Sequence, residues 1–277
     1  MSHFTPLNPM FIMYWVFFFM FAGNQRICRY SQSIPWLSGY QRGVLDMFTA
    51  KPPYWKRINH SHPLARGLVV YWLFNEGTGN KVNDLSGQGN EGTIDGALWT
   101  PGKDGWVLEF DGSDDCLEIS LPPQITYAAP MTAVMRVKAS VVHSLKGFLN
   151  IQYGSGNSGQ IALAYFADAY NGLLVSRGWN ANYGAKPSTA ISQTAWNDIA
   201  IVSNGGNERL NLYVNGALNT ADGNARLNEF GDNVVQLGQG IVDLHASCQI
   251  GFFCIYDRAL SAEEIAWLHR EPHAMCC

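Results

Sequence analysis

The string Glu109-Phe110-Asp111-Gly112-Ser113-Asp114 holds the acidic residues best spaced for chemistry in this chain. On a β-strand, residues i and i+2 share a face, so Glu109 and Asp111 would project side by side. Two carboxylates about 5 Å apart can serve a retaining glycosidase as nucleophile and acid/base. Gly112-Ser113, however, breaks a strand just after Asp111, which places the acids at a turn, where Asp and Ser more commonly cap backbone groups. The expectation is therefore turn-capping, with no catalytic residues. The same turn offers a second chemistry. Asp111, Asp114 and Asp115 supply hard oxygen ligands that suit calcium, with backbone carbonyls to complete a shell of six to eight. Asp84 and Asn90 could join them from a neighbouring loop.

A third group is Gly178-Trp179-Asn180-Ala181-Asn182-Tyr183. Aromatic faces beside amides form the usual surface for a sugar ring, and sandwich folds carry recognition on loops. Trp179, Asn180, Asn182 and Tyr183 are the candidate ligand-binding residues. Trp72, Trp99, Trp106, Trp196 and Trp267 fall inside patterned elements and are expected in the core. The chain lacks a Gly-x-Ser-x-Gly elbow, a Walker string and an HExxH pair.

The elements around these residues read as strands. Charged residues make up 14% of the chain and aromatics 13%, with 28 glycines among 277 residues. That composition suits short strands and tight turns, and disfavours a helix bundle or a disordered chain. The net charge is -4 and no basic run occurs, so nucleic acid is not an expected partner. Gly67–Phe74 reads as a strand buried on both faces, and Met131–Lys138 alternates as a half-buried one. The segments 106–111 and 116–121 read as a hairpin around Gly112–Asp115. Further strands are expected at 147–153, 160–166, 172–177, 196–203, 209–214, 234–237 and 249–256, with a tight turn at Asn215-Gly216. One helix closes the chain: Ser261-Ala262-Glu263-Glu264 is a capping box, Ile265 and Leu268 form the apolar stripe, and Pro272 stops it. Cys116, Cys248 and Cys254 are expected as buried thiols, and Cys276-Cys277 as a frayed end.

Ahead of the strands, Met10–Ala22 (MFIMYWVFFFMFA) is apolar but shorter than the roughly 20 residues of a membrane span. No Lys or Arg precedes it. A signal or short anchor, a docking tail, and sequence upstream of a start at Met47 all remain open. The organisation expected is a tail over 1–50, a linker over 51–66 and one domain over 67–277.

Four pieces in register then resemble the laminin-G-like, concanavalin A-like lectin/glucanase superfamily in its bacterial and phage form. They are HPLARGLVVYWLFNEGTGNKVNDLSGQGNEGT, LEFDGSDDCLEI, WNDIAIVSNGGNERLNLYVNGAL and IGFFCIYDRALSAEEIAWLHREP. Together they reach from His62 to Pro272. The resemblance implies an all-β fold: a two-sheet antiparallel jelly-roll sandwich with a short C-terminal helix. It also implies glycan or protein binding, in some members with calcium. Some glucanases of the superfamily carry Glu-x-Asp-x-x-Glu on one strand; here Asp114 replaces the last acid. Cys116 and Asn197 depart from the aromatic and the His usual at their positions, and residues 140–190 match nothing in the pattern. The expected function is a non-enzymatic binding module for carbohydrate or glycoprotein surfaces, requiring no cofactor, with calcium as the ion that the acidic turn would take. The alternatives are a structural or adhesion domain of a phage particle or cell-surface assembly, and a glycoside hydrolase relative. The expected setting is extracellular, on a cell surface or a virion, with the N-terminal segment as the tether to a larger assembly.

Overall fold

Period-two alternation punctuated by Gly and Asn turns governs the described part of the chain. The computed structural model describes residues 51–53, 55–140, 146–153, 159–165, 174–177, 184–187, 192, 195–205, 210–223, 233–239 and 245–276. In chain order, β1 spans Leu68–Trp72, β2 Lys81–Val82, β3 Gly92–Asp95, β4 Leu98–Gly102, β5 Gly105–Asp111 and β6 Cys116–Ser120. Then come β7 Met131–Ala139, β8 Lys146–Tyr153, β9 Gly159–Tyr165, β10 Leu174–Arg177, β11 Gly184–Pro187 and β12 Asn197–Ser203. The last strands are β13 Asn211–Val214, β14 Ala217–Leu218, β15 Thr220–Gly223, β16 Val234–Leu237 and β17 Ser247–Tyr256, followed by helix α1, Ala262–Arg270.

The strands form two sheets, and every strand pair is antiparallel. One sheet has eight strands, in the order β14-β13-β12-β7-β17-β5-β4, with β1 also paired to β17. The other has nine, in the order β15-β11-β10-β9-β8-β16-β6-β3-β2. The long β17 takes β7 along one edge, and β5 and β1 in succession along the other. Met131, Ala133, Met135 and Val137 of β7 face the core between the sheets, as their alternation predicts. Leu117, Ile119, Leu149, Ile151, Val235 and Leu237 meet them from the nine-stranded sheet. This is a jelly-roll sandwich of two antiparallel sheets with one short closing helix.

A second core lies on the outer face of the eight-stranded sheet. Tyr71, Val134, Val202, Phe252, Cys254 and Tyr256 point outward there and are covered by Ile265 and Leu268 of α1, by Ile58 and Leu64, and by Met275. This explains why β1, β12 and much of β17 are buried on both faces. The capping box of α1 forms as read from sequence. Arg258 grips Glu264 with two bonds of 2.7 and 2.8 Å. His269 Nδ1 lies 2.6 Å from the buried Asp198 carboxylate, tying α1 to β12.

Four expectations need correction. Residues 51–66 do not run free as a linker. Ile58 pairs with Cys276, Leu64 is buried, and the ammonium of Lys51 donates to the carbonyls of Phe74 and Trp106. Burial drives that ammonium down to about 7. By the same pairing Cys276 belongs to the second core rather than to a frayed end. Strands β5 and β6 are not a hairpin: β5 lies in the eight-stranded sheet and β6 in the nine-stranded one, so Gly112–Asp115 arches between sheets. Trp106 is 39% exposed rather than in the core; its indole lies against Gly77.

Candidate functional site

The acidic arch comes first, because two sheets meet at it. Gly112 has φ +85°, and a Cβ there would stand 2.7 Å from the Ser247 nitrogen, so the chain can turn at this point only with glycine. The backbone N–H of Asp111 donates to Asp115 Oδ2 at 2.7 Å, and that of Ser113 donates to Asp111 Oδ1 at 2.7 Å. Turn-capping is therefore present as expected. The carboxylates of Asp111, Asp114 and Asp115 also converge, with oxygens all within 4.8 Å of one another. Asp111 and Asp114 are exposed, whereas Asp115 is 6% exposed. Burial raises the Asp115 carboxyl above its ordinary range; the Asp111 N–H opposes this, and the charges of Asp111 and Asp114 add to it.

Three like charges this close favour a cation among them, and hard oxygens favour calcium. The fit is partial: the Gly112 carbonyl already accepts from Lys146 Nζ at 3.1 Å. Asp84 and Asn90 do not join. Asp84 accepts from the Tyr71, Ser86 and Asn90 nitrogens, and the Asn90 side chain donates to Val69 O. Glu109 stands apart on the outer face of β5, where it accepts from Thr100 Oγ1 and Gln249 Nε2. Asp114 thus joins Asp111 and Asp115 rather than completing a carboxylate set with Glu109.

The second feature was not anticipated from sequence. β6, β8 and β16 send Leu117, Ile119, Leu149, Ile151, Val235 and Leu237 inward, so their alternate residues face out of the sandwich. Register then sets Thr93, Glu118, Gln236 and Asn150 in one row across four strands. Asn150 Nδ2 donates to Gln236 Oε1 at 3.3 Å, and Gln236 Nε2 donates to Glu118 Oε2 at 3.4 Å. Ser120 and Gln152 flank the row, one pair further along. Asn150 is 1% exposed, so the part of the row open to solvent is Thr93, Glu118 and Gln236, a hydroxyl, a carboxylate and an amide that can meet hydroxyl groups. The polar alternation of each strand was readable; that Glu118, Gln236 and Asn150 of three distant strands fall at one level was not.

Strands β9, β10 and β11 continue the same sheet, and β10 pairs with β11 at Val175–Ala185. The segment joining them carries Trp179, Asn180, Asn182 and Tyr183, which lie outside the described residues. Cys116, Cys248 and Cys254 are buried free thiols, as expected. Burial pushes Cys116 up to about 12 and raises the other two further, so none is poised as a nucleophile.

Comparison with known proteins gives the lineage. A family sequence model described as the concanavalin A-like lectin/glucanases superfamily matches residues 111–266. No curated protein matches the chain. Among solved structures, Trypanosoma rangeli sialidase superposes with a TM-score of 0.56 at 14% identity, covering 74% of this chain and 33% of that one. Domain 4 of an extracellular arabinanase from Geobacillus stearothermophilus, solved with arabinotriose, superposes with a TM-score of 0.55 at 18% identity, covering 73% of this chain and 98% of that one. The receptor-binding domain of a botulinum neurotoxin C/D mosaic serotype does so with a TM-score of 0.51 at 16% identity, covering 73% and 51%. The chain thus spans about a third of the sialidase, and at these identities the likenesses establish the fold alone.

Proposed function

The chain belongs to the concanavalin A-like lectin/glucanases superfamily, and from that premise we propose that it is a non-catalytic module binding carbohydrate or glycoprotein surfaces. The observation that carries this reading is the asymmetry of the sandwich. The outer face of the eight-stranded sheet is closed over β1, β12 and much of β17 by α1 and the flanking segments. That of the nine-stranded sheet leaves Glu118 exposed and Gln236 partly exposed instead, with Asn150 buried beside them and bonded to Gln236. Such groups exchange hydrogen bonds with water for hydrogen bonds with sugar hydroxyls at little desolvation cost. The loop with Trp179, Asn180, Asn182 and Tyr183 would add the stacking faces. The arabinanase domain, almost wholly covered by the superposition and solved with arabinotriose, lends support. In this reading calcium, held by Asp111, Asp114 and Asp115, steadies the arch, and the protein works outside the cell or on a particle surface, tethered by its N-terminal segment.

The test is a glycan array probed with the full chain, with Trp179→Ala and with Gln236→Ala. We expect a defined set of glycans to bind, with the signal lost in the first variant and weakened in the second. A wild-type protein silent across the array would refute the reading. A structural or adhesion role is the second reading, and edge strand β4 favours it: Leu98 there is 69% exposed, a feature suited to contact with another protein.

A further inference from the structure

We infer that the protein holds a site for a single chloride ion, in a small cavity on the outer face of the eight-stranded sheet lined by Lys51 and Arg136. The cavity measures about 20 Å³, room for one water-sized particle and too little for an oxyanion such as phosphate. It opens where β17 carries an extra residue. Ile250 pairs with Val137 and Phe252 with Arg136, so Gly251 forms a bulge with no partner on β7. Lacking a side chain, Gly251 leaves a gap that Arg136 and Trp196 border. The place is separate from the polar row on the other sheet and from the acidic arch.

Unbalanced charge calls for an anion here. Lys51, Lys103 and Arg136 line the cavity against one carboxylate, Asp104. His273 lines it as well, but burial, aided by Lys51 and Arg136, lowers its imidazole to about 3 and keeps it neutral. Arg136 is poorly matched within the protein. Its Nε lies 3.7 Å from Asp198 Oδ1, too long for a hydrogen bond, and that buried oxygen has no hydrogen-bond partner among the described residues. Asp198 spends its other oxygen on His269 at 2.6 Å. The Lys51 ammonium has three N–H groups. Two donate to Phe74 O and Trp106 O, and the third has no acceptor among the described residues. An ammonium and a guanidinium, both partly buried at one cavity, repel each other, and an anion between them removes that repulsion.

The same groups make binding depend on pH. Burial brings the Lys51 ammonium down to about 7; Glu76 opposes the fall, Arg136 adds to it and Asp104 opposes it. Only the protonated amine has a third N–H to give the ion and a charge to balance it. The protonated fraction falls as pH rises through 7, so chloride should bind about tenfold more weakly at pH 8 than at pH 6. An ion shared by Lys51 and Arg136 would tie the segment ahead of β1 to β7.

The experiment is chloride-35 NMR line broadening, with thermal unfolding, on the full chain. Sodium chloride replaces sodium gluconate, whose anion is too large for the cavity, at constant ionic strength. We expect saturable broadening at pH 6, with a Kd on the order of 10 mM, and a matching rise in Tm. Gly251→Ala leaves every charge in place. Its Cβ would stand 3.4 Å from Arg136 Cδ and 3.5 Å from Trp196 Cζ3, ordinary contact distances, so it fills the gap without strain. This variant should weaken chloride binding about tenfold or more. Lys51→Met should weaken it likewise and remove the difference between pH 6 and pH 8. Sulfate should fail to displace the ion. The inference is overturned by any of four results: no saturable broadening in the wild type, unchanged binding in Gly251→Ala, equal affinity at pH 6 and pH 8, or sulfate competing as well as chloride itself.

Discussion

Replacing Asp84 with alanine tests whether this residue is a structural staple or a metal ligand. β1 has β17 on one edge, and on the other the loop after Asp84 stands in for a strand. Leu85 N–H donates to Tyr71 O at 3.0 Å and Tyr71 N–H to Asp84 Oδ1 at 3.0 Å. Ser86 Oγ lies 2.6 Å from Asp84 Oδ2 and 2.8 Å from Val69 O, one proton serving both. Removing the carboxylate orphans the N–H of Tyr71, a fully buried residue, at a cost of about 1–3 kcal/mol. The loop donors from Ser86 and Asn90 can recruit water, and their loss adds roughly 1 kcal/mol. The total of about 2–4 kcal/mol lowers Tm by roughly 4–16 °C in a domain of this size. Asp84→Asn keeps the Oδ1 acceptor but sets an amide N–H₂ against the Asn90 N–H, so about half the loss should remain. Urea unfolding at constant m measures both. A loss below about 0.5 kcal/mol in Asp84→Ala, the range of an ordinary surface change, would refute the staple. Millimolar calcium supplies the control. Any rise in midpoint it produces should be the same in wild type and Asp84→Ala, and should disappear in Asp111→Asn with Asp114→Asn. If it disappears in Asp84→Ala instead, Asp84 is a ligand.

The second core gives a further prediction. Leu268 is 2% exposed beneath α1, so Leu268→Ala should cost about 2–5 kcal/mol in urea unfolding while glycan binding by the folded fraction is unchanged. A selective loss of binding would move the functional face to the α1 side. The pH dependence should report His273. Its Nδ1 lies 3.2 Å from Tyr71 Oη; burial, aided by Lys51 and Arg136, lowers the imidazole to about 3. The unfolded chain binds this proton near pH 6.5 and the folded chain near 3. Stability from the neutral imidazole is therefore full above about 6.5 and falls as pH drops toward 3, by about 1.4 kcal/mol per unit. Between pH 7 and 5 the loss is about 2 kcal/mol, and His273→Gln should remove it. An unchanged slope in that variant would show that the ring is not held neutral.

The parts of this fold legible in the sequence are those set by local rules. β1 reads as doubly buried because GLVVYWLF contains no polar face, and α1 reads from its capping box because both partners lie within four residues. The arch at Gly112 was misread because a glycine turn between two alternating segments has the same local chemistry whether the chain returns to its own sheet or crosses to the facing one. The docked lead-in was misread because Pro52, Pro53 and Pro63 signal extension, while the burial of Ile58 and Leu64 depends on residues more than 190 positions away, among them Leu260 and Met275. The acidic triad was legible because its members are sequence neighbours. The row of Glu118, Gln236 and Asn150 was not, since its members fall at one level only after β6, β16 and β8 have paired.

The two sheet faces are unequal for an energetic reason, and function follows from it. Apolar outward residues such as Tyr71, Cys254 and Tyr256 cannot stay in water, so α1, Ile58, Leu64 and Met275 cover them, and that part of the face is closed. In the opposite row Glu118 and Gln236 stay open to solvent, while Asn150 is buried and donates to Gln236. Each sits on a strand whose alternate residues are locked in the core, so a ligand would meet amides already fixed in place and would lose little side-chain entropy on binding. Adjacent strips on a rigid sheet give modest affinity with defined geometry. Selectivity would then rest with residues 140–190, where the sequence departs furthest from the family pattern, and a change at Gln236 should therefore alter how tightly a glycan binds more than which glycan binds.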